Sequence, residues 1–213
     1  DEPLVQSFAR PTDLASYSDK DVLSFVQKMQ KELQAKSEHI LNAMIRVSTL
    51  EVSKLFVSAN RELDQNYTWI NGFMGLAYRE NDKTVQVFGF CDSANMADVM
   101  AELPGKMDDL VDRAHHLTLA KPIEPGVYDV ITAPSITGLI AHEAFGHGVE
   151  MDQFVKDRAL AKQYVGKYVA SPICNMRDGA AAALSVASYF FDDDGVLAGN
   201  TQIIKDGIPV TGI

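Results

Sequence analysis

Residues 67–90 have the sequence YTWINGFMGLAYRENDKTVQVFGF, with two runs of aromatic and β-branched residues on either side of Asn81-Asp82. Such residues favour strands, whereas Asn and Asp favour tight turns. We therefore expect strands at 67–73 and 84–90 that are joined by a turn. The short connection makes the pair antiparallel.

Similar runs lie upstream of this pair. Residues 42–48 and 55–58 are short β-like segments, and the polar residues 51–54 could link them. Four or five strands joined by short polar turns predict an antiparallel sheet with one face covered by a helix. Residues 1–17 contain two prolines and little periodicity, so we expect an irregular lead-in.

Helical patterns flank the predicted sheet. A capping-box pair, Ser18 and Asp21, precedes apolar residues at helical spacing and predicts an amphipathic helix over 19–36. Residues 94–117 return to helical spacing, and a central Pro-Gly dipeptide should divide them into two helices. The expected fold class is therefore α+β, with antiparallel sheets, a few packed helices and two regions.

The second region is expected to begin after a break near 119–126, which gives domains of 1–118 and 119–213. A strand is predicted at 127–131, followed by a helix from Pro134 through Phe145. Further β segments are predicted at 164–171 and 184–191, and as a hairpin of 202–204 and 208–211 around Asp206-Gly207.

Composition limits the possible functions. The 213 residues include 19 Lys and Arg against 29 Asp and Glu, a net charge of −10, which disfavours binding to nucleic acid. No apolar run is long enough to span a membrane. Two cysteines, Cys91 and Cys174, are too few for a disulfide framework. We therefore expect a soluble protein of the cytoplasm.

The segment with the clearest chemistry is His142-Glu143-Ala144-Phe145-Gly146-His147. Imidazoles bind zinc, and a neighbouring carboxylate can accept a proton from a metal-bound water. On a straight α-helix, side chains five positions apart point about 140° away from each other. A turn of π-helix, or a chain reversal at a glycine, would bring them together. The sequence thus predicts a distorted or terminated helix at Gly146.

A catalytic zinc ion usually has three protein ligands, and spacing does not identify the third. Cys174 is one candidate, because thiolates bind zinc well. Alternatively, Cys174 is a small buried apolar residue, as most free cysteines are. Burial in a strand is favoured still more strongly for Cys91.

Three other groups have two interpretations each. His115 and His116 could bind a metal, although contact with a helix C-terminus is the simpler account. Residues 192–194 are three aspartates, for which turn formation is favoured over calcium binding. Glu150 and Asp152 either orient a ligand histidine through its second ring nitrogen or lie at a solvated helix end.

The segment 139–152, LIAHEAFGHGVEMD, strongly resembles the H-E-x-x-x-H region of the TldD/PmbA family, and in particular its TldD-like subunit. Residues 168–174 (YVASPIC), 192–196 (DDDGV) and 204–207 (IKDG) are similar to later segments of that family, in the same order. Residues 1–118 fit the family's middle region in layout alone. The chain therefore resembles a middle portion of a full-length family member.

The resemblance implies a zinc metallopeptidase. His142 and His147 would be metal ligands and Glu143 the general base, and the third ligand would be a cysteine in a later region that this chain lacks. It also implies a PmbA-like partner without the motif, or self-association, and flexible or unfolded peptides as substrates. The alternatives are a metal-free, inactive fragment or a binding or scaffold module. Direct binding to gyrase or DNA is opposed by the negative charge.

Overall fold

A computed structural model describes residues 2–213, and the chain divides into two units. The first contains the residues up to 123 together with 193–195, and the second contains 124–192 and 196–213. Each unit combines antiparallel strands with helices, which confirms the expected α+β class. Within residues 2–213, no helix has both the length and the apolar character needed to cross a membrane.

A long antiparallel meander forms most of the sheet in the first unit. Its strands are β2 (Ile40–Val57), β3 (Arg61–Glu80) and β4 (Lys83–Ser93). The segments predicted at 42–48 and 55–58 are two parts of β2, so the link expected at 51–54 is wrong, because these residues also pair with β3. The turn at Asn81-Asp82 is confirmed, with φ angles of 49° and 57°.

The lead-in expected over 1–17 is also wrong in part, because Leu4–Ala9 form a strand, β1. β1 pairs in parallel with the first residues of β3, from Leu4 opposite Arg61 to Ala9 opposite Asn66. Its side chains are mostly exposed, so the strand leaves no hydrophobic periodicity in the sequence. β2 pairs along one edge of β3. β1 and β4 both pair with the other edge, β1 with residues 61–66 of β3 and β4 with residues 70–80.

Three helices pack on this sheet. α1 (Asp19–Gln34) begins with the predicted capping box, in which the Ser18 and Asp21 side chains each bind the other's backbone N–H. α2 (Met96–Glu102) and α3 (Met107–Leu119) are separated by a 3₁₀ turn that contains the expected Pro-Gly dipeptide. Buried residues of the sheet and of the helical segments form one core, including Met29, Leu33, Ile45, Ile70, Met74, Leu103 and Leu110.

The second unit contains short elements. Its helices are α4 (Pro134–Ala144) and α5 (Met151–Val155), with 3₁₀ turns at Gly146–Val149 and Leu160–Tyr164. Its sheet consists of β5 (Met176–Asp178), β6 (Thr201–Lys205) and β7 (Ile208–Pro209), all antiparallel. The hairpin predicted around Asp206-Gly207 is confirmed, with left-handed φ angles of 49° and 82° at the two turn residues.

Three predicted strands in this unit are wrong. Residues 127–131, 164–171 and 184–191 form no strand, and the nearest pairing is one isolated bridge between Phe191 and Leu197. The apolar side chains at 127 and 131 are fully exposed. A strand needs a paired neighbour as well as suitable residues, and within residues 2–213 these segments have none in a ladder.

Candidate metal centre

The predicted motif lies where α4 ends. The last α-helical hydrogen bond runs from Phe145 N–H to Ala141 C=O, at 3.2 Å. Phe145 leaves helical geometry with φ −136° and ψ −39°, and the N–H of Gly148 then bonds to Phe145 C=O in a 3₁₀ turn. Termination of the helix next to Gly146 is therefore confirmed.

The way in which the helix ends differs from both expected mechanisms. The turn is 3₁₀ rather than π, and Gly146 does not adopt a positive φ angle. A Cβ atom at Gly146 would meet only ordinary contacts, with Ala141 C=O at 3.6 Å and His142 Nδ1 at 3.9 Å. The change of direction thus comes from the backbone of Phe145, a non-glycine residue that sequence patterns do not mark.

This turn brings the motif side chains together. The His142 and His147 rings lie 4.4 Å apart between centroids and meet edge to face at 68°. One donor atom from each of His142, Glu143 and His147 lies within 4.8 Å of the other two, and all three residues are exposed. Zinc ligands stand about 2.0–2.2 Å from the ion, hence at most about 4.4 Å apart. Small rotations of exposed side chains close that gap, so these donors fit a zinc ion.

The two acidic residues that follow the motif have different partners. Glu150 Oε1 lies 3.0 Å from His147 Nδ1. Asp152 instead pairs with Lys156, whose ammonium lies 2.8 Å from its carboxylate, and this hydrogen bond lowers the pKa of Asp152. Of the two candidates for orienting a ligand histidine, only Glu150 contacts one.

Neither cysteine joins the metal-binding cluster found within residues 2–213. Cys174 is half-buried, and its backbone bonds to Ser171 and Gly207. Cys91 is buried in β4, as expected, with Sγ 3.9 Å from the carbonyl oxygen of Val99. Burial raises the pKa of the Cys91 thiol to about 11, which disfavours the thiolate that a metal requires.

Of the two histidines of α3, His115 has a partner other than the expected helix C-terminus. His115 Nδ1 lies 2.6 Å from Glu80 Oε2, and His39 Nε2 lies 3.8 Å from the other oxygen of the same carboxylate. His116 occupies the last turn of the helix. Sequence reasoning missed Glu80 and His39 because 35 and 76 positions separate them from His115, so no spacing rule joins them.

The aspartates at 192–194 form a turn, as favoured. The Asp192 carboxylate accepts a hydrogen bond from Val196 N–H at 2.9 Å, and Gly195 has a left-handed φ of 74°. Aspartate favours turns because its short side chain can accept hydrogen bonds from nearby backbone N–H groups. Turn formation thus accounts for Asp192 without a calcium ion.

An apolar cleft lies beside the motif. It has a volume of about 460 Å³, and its lining includes Ala144, Phe145 and Gly148. Tyr164 and Tyr168 contribute aromatic surface to the same cleft. The cleft is therefore suited to an apolar group that lies next to the histidines.

Comparison with known proteins gives consistent matches. Residues 125–211 match the family described as the PmbA/TldA metallopeptidase C-terminal domain. A metalloprotease from Synechocystis is 28% identical over 97% of this chain and 46% of its own length. A metalloprotease TldD homolog from Haemophilus influenzae is 35% identical over 39% of this chain and 17% of its own length. The chain therefore spans less than half the length of these relatives.

Solved structures show the same fold. A proposed modulator of DNA gyrase from Thermotoga maritima matches with a TM-score of 0.81 and 19% identity, over 94% of this chain and 46% of that protein. TldE from Thermococcus kodakarensis matches with a TM-score of 0.68 and 16% identity, over 96% of this chain and 46% of that protein. These likenesses show the fold, and the sequence matches make residues 125–211 similar to the C-terminal domain of PmbA/TldA metallopeptidases and the chain similar to proteins named metalloprotease and TldD homolog.

Proposed function

We propose that this chain carries the metal-binding motif of a zinc-dependent peptidase of the TldD type, which cleaves flexible or unfolded peptides. The observation that carries the proposal is the cluster of donor atoms from His142, Glu143 and His147, all within 4.8 Å of one another. The family's metalloprotease relatives support it from an independent direction. The third metal ligand would come from outside this cluster.

In this proposal His142 and His147 bind the ion, and Glu143 is the general base. Bound there, zinc would polarise a peptide carbonyl and lower the pKa of a water molecule. The Glu143 carboxylate accepts the proton of the attacking water and passes it to the nitrogen of the leaving amine. Because Glu143 directly follows one ligand in the chain, its carboxylate can lie close to the ion without binding it.

The substrate and partner complete the proposal. The three motif side chains are exposed, so an extended peptide can approach them without unfolding the second unit. The neighbouring apolar cleft would accept an apolar side chain of that peptide. A PmbA-like subunit without the motif is the proposed partner, in line with the shared fold of a TldE protein. Two unpaired cysteines support a location in the reducing cytoplasm.

The test is Glu143→Gln in the longest natural reading frame that contains this chain, assayed with its partner. We expect peptide cleavage to fall by about 10²–10⁴-fold, the usual contribution of a general base, while zinc remains bound. Glu124→Gln is the control, because that glutamate lies outside the motif. Cleavage near the wild-type rate would reject the general-base role, whereas loss of zinc would make Glu143 a ligand.

A metal-free binding module is the rival function, and the same preparation distinguishes it. Wild-type protein that captures peptides without bound zinc, and without cleaving them, would support the rival. Removal of zinc by a chelator gives the converse test. It should abolish cleavage, and added zinc should restore it.

A further inference from the structure

The contact between Glu150 and His147 defines which ring nitrogen of that histidine carries a proton. Glu150 Oε1 lies 3.0 Å from His147 Nδ1. An ionised carboxylate can only accept hydrogen bonds, so Nδ1 must be the donor. A neutral imidazole has one N–H, and the proton at Nδ1 leaves the lone pair on Nε2.

The backbone on both sides of Glu150 is held in place. Val149 is completely buried beside Ile203 and Ile204, and its carbonyl accepts a hydrogen bond from Ile213 N–H at 2.9 Å. Met151 N–H in turn donates to Ile213 C=O at 2.5 Å. Glu150 therefore has limited backbone freedom, and its side chain is directed back across the 3₁₀ turn to His147.

We propose that Glu150 is a positioning residue, which fixes His147 as the Nδ1–H tautomer and orients Nε2 towards the metal. Carboxylate partners of metal-binding histidines act in this way in many metal sites. The inference rests on the proposed function for the metal, but the tautomer itself is a property of the metal-free chain. Asp152 does not share this role, because Lys156 engages its carboxylate.

The first experiment measures the zinc affinity of the longest natural reading frame that contains this chain, by competition with a chromogenic chelator. Glu150→Ala should weaken binding by about 10–100-fold, the usual effect of removing such a partner. Glu150→Gln should recover most of the affinity, because its amide oxygen can still accept the Nδ1–H bond. Asp152→Ala is the matched control, from an acid two positions away, and should bind zinc as wild type does.

The second experiment reads the tautomer directly by long-range ¹H–¹⁵N NMR of the metal-free chain. The spectra are recorded at about pH 8.5, where a free imidazole, of ordinary pKa about 6.5, is neutral. His147 should be protonated at Nδ1 in wild type and in Glu150→Gln. In Glu150→Ala the population should move to the Nε2–H form, which is the commoner one in free imidazole side chains.

The outcomes separate this inference from the proposed function. If the tautomer changes as expected but wild type binds no zinc, the positioning contact stands and the proposed function fails. If Glu150→Ala loses zinc affinity while its tautomer stays at Nδ1–H, Glu150 acts only through the fold and the inference is overturned. Should Glu150→Ala fail to fold, Glu150→Gln decides, because a switch to Nε2–H in that variant also overturns it.

Discussion

The imidazole ring centroids of His142 and His147 lie 4.4 Å apart, although the two residues are five positions apart in the chain. An unbroken α-helix would direct them about 140° apart. The break at Phe145 and the 3₁₀ turn at Gly146–Val149 remove this divergence. The end of α4 is therefore a requirement for the candidate metal centre.

The first prediction concerns metal binding by this chain alone. The two imidazoles of His142 and His147 should bind zinc only weakly by themselves, because complete four-ligand sites in small peptides reach about 10–16 kcal/mol. We expect His147→Ala to remove the residual binding and Cys174→Ser to leave it unchanged. Equilibrium dialysis against zinc measures both. One tightly held equivalent that disappears in Cys174→Ser would contradict the prediction and identify Cys174 as a ligand.

The second prediction concerns the close packing of helix on sheet at Gly72. A Cβ atom there would lie 2.7 Å from Val99 Cγ1 and 3.1 Å from both Cys91 Sγ and Leu103 Cδ2. Gly72→Ala should therefore lower the free energy of unfolding by about 1–3 kcal/mol, the usual effect of overpacking a core. Urea unfolding followed by the fluorescence of Trp69, the only tryptophan, measures the change.

The matched control is Gly105→Ala, in the 3₁₀ turn between α2 and α3. A Cβ atom at Gly105 meets nothing within 4 Å, so its effect should stay within about 0.5 kcal/mol. Equal losses in the two variants would show that the cost at Gly72 comes from the loss of glycine itself and not from Val99 and its neighbours.

Local chemistry explains which parts of the fold were predictable. The Ser18–Asp21 capping box and the turns at Asn81-Asp82 and Asp206-Gly207 depend on residues close in sequence, and each lies where it was expected. The histidines of the motif belong to this group as well. Their five-residue spacing was enough to predict that the helix must end, although not that Phe145 would end it.

What the sequence missed depends on distant partners. β1 exists because β3 offers it a free edge, and its exposed side chains show no pattern. Residues 127–131 have strand composition but no partner in a ladder within the described chain. The contact of Glu80 with His39 and His115 likewise needs the folded sheet.

The third prediction concerns thiol reactivity. Burial raises the pKa of Cys91 to about 11, so about one thiol in a thousand is ionised at about pH 8. Iodoacetamide should therefore label Cys174 in the native chain and reach Cys91 only after unfolding. Mass spectrometry of Cys91→Ser and Cys174→Ser assigns each reaction. Rapid native labelling of Cys174→Ser would show that Cys91 is accessible, contrary to this prediction.

The fourth prediction concerns Glu80, which links three parts of the first unit. Its Oε2 atom lies 2.6 Å from His115 Nδ1 on α3 and 3.1 Å from the hydroxyl of Tyr78, and His39 approaches Oε1. The hydrogen bond with His115 is the main cause that lowers the pKa of Glu80. The folded state therefore favours the ionised form of the Glu80 side chain.

Because folding lowers this pKa, the carboxylate stabilises the folded state at pH values above the ordinary glutamate pKa of about 4.3. The contribution is lost as the pH falls through that value towards the lower pKa of the folded state. Glu80→Gln should thus destabilise the first unit at neutral pH, and the difference from wild type should shrink at about pH 3, as measured by urea unfolding with Trp69 fluorescence. Glu32→Gln is the control, since its 3.8 Å pair with Lys28 is exposed and should contribute little at either pH. A difference of the same size at both pH values would mean that the ionised carboxylate of Glu80 adds no stability and that its side chain acts through packing alone.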